Sequence, residues 1–232
     1  MSAPANARAR VRAQLTREIV DAAQRELAAV GAAGLSLRAV ARRLDMAPSA
    51  LYRYFESRDA LLTALIVEAY EAVGEAAERA DAGAGPVPER RWEAVARAVR
   101  RWGHEHPHEW ALVYGSPVPG YRAPQDTVAA ALRITAVVAG IVADAVPPGS
   151  AATGRLPAGP AGLGPALAPV AAVLLPGRPP EIVAGALMAW TQLIGTVSLE
   201  LFGHYVGATE DFALVFDYTM QSVAAVIGLP TT

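Results

Sequence analysis

Residues 36–58, SLRAVARRLDMAPSALYRYFESR, constrain the fold more than any other stretch, because they read as two short helices joined by a tight turn. Leu37, Val40, Ala41 and Leu44 fall at i, i+3, i+4 and i+7, which places all four on one stripe of a first helix with Ser36 as its N-cap. That stripe has to face a core. Asp45 stands where the chain must turn and tolerates left-handed dihedrals better than most residues. Pro48 suits the first turn of the next helix, where its missing N–H would lack a partner anyway. On that second helix Leu51 and Phe55 point inward with Met46. Ser49, Tyr52 and Arg53 lie on the opposite face, flanked by Ala50 and Tyr54. So short a helix takes most of its stability from packing on its neighbours, which makes it a presented element.

A presented helix with small, aromatic and cationic side chains outward fits the DNA major groove. The run ARRLDMAPSALYRYFESRDALL, residues 41–62, resembles the DNA-binding domain of the TetR family of bacterial transcriptional regulators, and the match extends over about residues 15–65. Its most specific part is Leu51 to Phe55, then Arg58 and Ala60 to Leu62. Members of that family usually carry Gly at the turn and Lys before the A-L-L, where this chain has Asp45 and Arg58. On this reading Ser36, Ser49, Tyr52, Tyr54 and Arg58 hold phosphates, Pro48, Ala50 and Arg53 approach base edges, and Arg38 belongs to the same surface.

Charge is segregated in the same sense. Residues 1–58 hold ten Arg against five acidic residues, and the remainder ten against seventeen. A cationic quarter on an acidic body attracts a polyanion at one end, and Arg8, Arg10, Arg12 and Arg17 extend the positive region upstream. Every cation is Arg, since Lys is absent, and Ala, Gly and Pro are heavily used, a mark of genomic composition bias. With no Cys there is no disulfide framework and no thiolate chemistry. Glu18 and Asp21 interrupt any apolar run of signal-peptide type, so a cytoplasmic location is expected. Residues 156–177 are uncharged and long enough to span a bilayer, but five prolines break them. Residues 182–199 include Thr191, Gln192, Thr196 and Ser198 and read as a buried or interface helix, so no membrane partner is expected.

The remainder is helical in pattern, giving an all-α chain: an N-terminal three-helix helix-turn-helix domain and a larger C-terminal helical domain for ligand binding and dimerisation. A first helix is predicted over 11–30, ended by Gly31 and Gly34, and a fourth starts at Asp59 and runs towards Arg79. Domains are placed at 1–58, 59–85 (connecting helix and linker) and 86–228. Further helical patterns cover 88–105, 107–115, 124–145, 180–204 and 210–228. Residues 147–180 are too rich in Pro and Gly for a regular core element, with room for one short helix over 166–175 and for partial disorder. RWGHEHPHEWALVYGSPVPGY and AWTQLIGTVSLELFG are similar to the TetR C-terminal domain named for its W-H-G motif, though Ile194 stands before Gly195 where a His is usual.

Trp102, Trp110, Tyr114, Tyr121 and Trp190 are large aromatics in an aliphatic body. With His104, Met188, Gln192 and His204 they make candidates for an apolar pocket, the alternative being that they fill the core. The resemblance implies a small, mostly apolar effector there that weakens DNA binding. His104, His106 and His108 raise a metal site, but Pro107 opposes the helix it needs and only Glu105 and Glu109 are at hand as further ligands, so no metal or cofactor is expected. No G-x-S-x-G, H-E-x-x-H or phosphate-cradling loop argues for an enzyme.

One recognition helix reads few base pairs, so regulators of this architecture pair by two-fold symmetry on a palindromic double-stranded operator. By resemblance the homodimer forms through the last two helices, where Ile182, Gly185, Ala189, Leu193, Thr196 and Val197 make a smooth face. Phe212, Val215, Phe216, Thr219, Val223, Val226 and Ile227 make a wide apolar stripe, the alternative being that both stripes face the chain's own core, as part of each must. The function expected is that of a repressor released by its ligand. An effector-independent or architectural DNA-binding protein is the alternative, and a metal protein or enzyme a more distant one.

Overall fold

Apolar residues recur with helical spacing along nearly the whole chain, and the structure follows them. The computed structural model describes residues 3–146 and 156–229, with side chains from residue 8 onward. Eleven helices and no strand occur among the described residues: α1 (Ala3–Gly34), α2 (Leu37–Arg43), α3 (Pro48–Leu51), α4 (Arg58–Gly83), α5 (Pro88–Glu105), α6 (Pro107–Tyr114), α7 (Thr127–Ala131), α8 (Arg133–Ala145), α9 (Leu163–Leu174), α10 (Pro180–Leu201) and α11 (Phe212–Ile227). The first helix starts eight residues before the predicted Val11, because the upstream run is built from Ala and Arg, both good helix formers, with Pro4 in its first turn. Gly31 departs from helical geometry at φ 69° and kinks its end. Residues 163–174 form a full helix within the stretch read as irregular, while residues 147–155 of that stretch lie outside the described residues.

The chain groups into two compact units, Met1–Ala69 with His108–Val128, and Tyr70–Pro107 with Ala129–Thr232, so compactness does not follow chain order. The first unit is built on Ile19, Ala23 and Leu27 of α1, Val40 and Ala41 of α2, Leu51 of α3, and Leu61 and Leu62 of α4, all essentially buried. Within it Thr63 and Tyr121 share a hydroxyl hydrogen bond of 2.9 Å.

The second unit has its own core. Trp92 and Val99 of α5, Ile134 and Ile141 of α8, Leu193 and Val197 of α10, and Phe216 and Met220 of α11 are buried together, and the Trp92 indole donates to the Met220 carbonyl at 2.8 Å. α10 is long and apolar enough to cross a membrane, but half of its apolar window is buried against this core. The face of α10 expected to be a smooth dimer surface, Ile182, Gly185, Ala189, Leu193, Thr196 and Val197, is buried within the chain itself. Gly185 shows why: a Cβ there would lie 2.8 Å from Leu156 and 3.6 Å from Ile227, so its small size serves an internal approach. On α11, Phe216, Val223 and Ile227 are likewise internal. Of the expected α11 stripe Val215 faces outward, and the other exposed apolar residues of this region are Met188, Leu199, Phe202, Val206, Leu214 and Tyr218.

Candidate nucleic-acid interface

The turn between α2 and α3 is closed by backbone hydrogen bonds in the pattern of a Schellman cap. Met46 N–H donates to Ala41 at 2.9 Å, Asp45 N–H donates to Arg42 at 3.3 Å, and Asp45 holds φ 51°. No other non-glycine residue has a positive φ among the described residues. This reversal brings Pro48 to the first turn of α3, as its fixed φ favours. Regular α-helix covers only Pro48–Leu51, and Tyr52–Tyr54 continue it as tighter turns, with Tyr54 N–H donating to Leu51 at 2.9 Å. Leu51 and Phe55 are buried beneath it.

With those two anchors inward, Pro48, Ser49, Tyr52 and Arg53 are exposed, Tyr52 at 48%, and Ala50 and Tyr54 are half-buried beside them. Arg38 is exposed on α2. Ser36 occupies the N-cap position with extended dihedrals and its carbonyl accepts from Ala39 and Val40, but its hydroxyl makes no capping bond. The predicted surface residues therefore converge around one short element, with two qualifications. Ser36 is half-buried, and Arg58 is turned into the module: its Nε donates to the Leu35 carbonyl at 3.0 Å and its Nη2 to Ala32 at 2.7 Å and Ala33 at 3.3 Å. A planar fork of donors suits that cluster of carbonyls at the end of α1.

Two further side chains support the surface. Arg43 pairs with the buried Glu26 at 2.6 Å, tying α2 to α1. Arg12 donates from Nη2 to the Arg53 carbonyl at 3.3 Å, and its guanidinium stands 5.3 Å from the centre of the Tyr54 ring. The signal for Arg12 was its spacing from Arg8 on a helix that begins earlier than Val11.

The nine side chains expected to line a pocket fall in both units, and His204 among them is exposed. In the first, Trp110 is fully buried, with the Tyr114 ring 4.6 Å away, and Tyr121 bonds Thr63. In the second, Trp102 stacks on His106 at 5.0 Å and borders a cleft of about 560 Å³ whose walls are largely charged, with Glu75, Arg79, Arg101 and Glu105. His104 bonds Glu200 at 3.0 Å, Met188 is exposed, and Gln192 donates to Thr196 at 2.9 Å. The Trp190 indole nitrogen is buried without an acceptor among the described residues. The helix breaks at His106 (φ −131°, ψ 57°), so His104 and His108 do not share one helix face.

A short, exposed, partly cationic element held on a three-helix support defines a helix-turn-helix DNA-binding module. Comparison with known proteins agrees. Residues 19–65 match the family described as "Bacterial regulatory proteins, tetR family", and residues 92–223 match "Tetracyclin repressor-like, C-terminal domain". The HTH-type transcriptional regulator Rv1816 of Mycobacterium tuberculosis is 38% identical over 229 residues, covering 94% of each chain. Among solved structures, the regulatory protein SCO4313 superposes with a TM-score of 0.74 at 33% identity, covering 92% of this chain and 97% of that one. The TetR family regulator PfmR of Thermus thermophilus, 16% identical with 92% and 99% covered, shares the fold at a TM-score of 0.55. The chain belongs to the TetR family and is a DNA-binding transcriptional regulator, not an enzyme.

Proposed function

We propose that the protein is a homodimeric, cytoplasmic repressor that binds a palindromic operator and is released from it by a small, mostly apolar molecule held in the C-terminal region. The observation that carries this reading is the outward apolar face of α11, where Leu214 and Tyr218 are 69% and 71% exposed one turn apart, with Leu199 and Phe202 exposed at the end of α10. Apolar area of that kind on a helical pair is suited to a second copy of the chain. In a two-fold pair each copy presents one α3, and successive major grooves lie about 34–36 Å apart. Ser49, Tyr52 and Tyr54 then hold phosphates and Arg53, Ala50 and Pro48 meet base edges, while Arg58 acts from behind by fixing the end of α1.

The effector reading draws support from the buried Trp190 N–H that lacks an acceptor among the described residues, which a polar atom of a ligand would satisfy. α4 is the element through which a ligand would act. Its downstream half is held by Arg133, which bonds Glu78 at 2.8 Å through Nε and reaches the Glu71 carbonyl at 3.1 Å, and by Arg91, which bonds Asp81 at 2.6 Å. A ligand preferring a different seat for α4 would move the recognition surfaces off the groove spacing.

Selection of bound fragments from genomic DNA tests the first half of this reading, and a thermal-shift screen of apolar metabolites with and without the selected duplex tests the second. The expected results are an inverted repeat and a compound that stabilises the free protein while lowering DNA affinity. An asymmetric site would contradict pairing, and stabilisation by specific DNA but by no compound would favour an effector-independent regulator.

A further inference from the structure

We propose that Arg8 and Arg12 form, with Arg53 and Tyr54, a second phosphate site that grips the DNA backbone beside the base-reading surface. The proposal rests on the DNA-binding reading of α3 and adds to it a part of the chain upstream of the helix-turn-helix. Because α1 begins at Ala3, Arg8 and Arg12 stand four apart on one face of a formed helix. They border a cleft of about 550 Å³ whose other walls are Val11, Arg53 and Tyr54. Among the described residues, three guanidinium groups and no carboxylate line it, a concentration of like charge that favours an anion.

Arg12 is exposed to solvent but tethered. One of its five N–H donors goes to the Arg53 carbonyl, and its guanidinium covers the Tyr54 ring, which fixes it at the rim of the recognition turn with donors to spare. Arg8 lies one turn earlier and exposed. A planar fork of donors on a pre-ordered helix is suited to a phosphodiester oxygen pair, and its place next to Arg53 puts that phosphate at the edge of the segment that α3 reads. Such a contact carries no sequence information. It sets affinity and register while Arg53 discriminates.

The test is the salt dependence of binding by the full chain to a selected operator duplex and to a scrambled duplex of equal length. Arg8→Ala, remote from the core, should keep the wild-type melting temperature and weaken both duplexes by a similar factor. It should reduce the slope of log K against log[salt] by about 0.9 for each phosphate lost, or about 1.8 for a two-fold pair. Arg8→Lys, which keeps the charge, should retain the wild-type slope. An unchanged slope in Arg8→Ala, or a loss confined to the operator duplex, overturns the site. Equal wild-type affinity for the two duplexes overturns base reading by α3 instead, and the slope comparison then still decides the cleft on either duplex.

Discussion

Asp45 sits in the left-handed region at φ 51° because two cap hydrogen bonds close the turn around it, and a side chain there carries a steric cost that glycine avoids. Asp45→Gly should therefore stabilise the first unit by about 0.5–1 kcal/mol, read as a higher urea midpoint without a change in slope. A lower midpoint would mean that the Asp side chain supports the turn in some other way. The turn was legible in the sequence because Asp and Pro are rare in helix interiors, and their spacing left one place for the reversal. Arg58 was harder to read. Its position after the aromatic run suggested a phosphate contact, whereas its partners are carbonyls 23 to 26 residues earlier in the chain, a proximity that no local pattern encodes. Arg12 was legible as part of the upstream positive region, but its contact was not, since its partner is the backbone of Arg53, 41 residues away.

Among elements, periodicity gave the bounds of α5, α6, α10 and α11 nearly residue for residue, since each starts at a Pro or an Asp cap; Asp211 accepts from Leu214 N–H at 3.1 Å, for instance. It gave the smooth face of α10 to the dimer, whereas that face turns inward: Gly185 and Ala189 are buried, and Gly185 lies against Leu156 and Ile227 of α11. Polar partners of α10 reinforce that choice. Glu200, 12% exposed, takes a bidentate pair from Arg100 on α5 at 2.8 and 2.6 Å and a bond from His104. Burial alone pushes the Glu200 carboxyl up, but the bonds from Arg100 and His104 together outweigh it and hold the group below its ordinary value. A carboxyl whose value is depressed on folding adds stability in full above its unfolded value of about 4.3, and loses it as pH falls through the lower folded value. Glu200→Gln should accordingly cost about 1–2 kcal/mol at neutral pH, and the gap from wild type should close as the pH drops below about 4. Urea titrations at several pH values check this; a gap that widened in acid would contradict the assignment.

At the scale of the molecule, DNA recognition by one short element needs a partner, and the outward face of α11 is where pairing is expected. Leu214→Asp with Tyr218→Asp, both on exposed positions, should leave the circular dichroism and melting of each subunit near wild type, yet yield single subunits in ultracentrifugation and a large loss of operator affinity. Dimers that persist would place the interface elsewhere. That face was not legible in advance because an apolar stripe announces burial without saying in what, and the internal half of α10 and α11 reads the same as the external half. α3 is expected to read bases as one half of a symmetric pair, with Arg53 its discriminating side chain. The most direct test is selection from a random duplex library with wild type and Arg53→Ala in parallel. The account predicts an inverted repeat for wild type and, for Arg53→Ala, relaxed preference at the same position in both half-sites with roughly 1–3 kcal/mol lost on the operator. An equal loss on operator and random DNA, or relaxation in one half-site only, would contradict it.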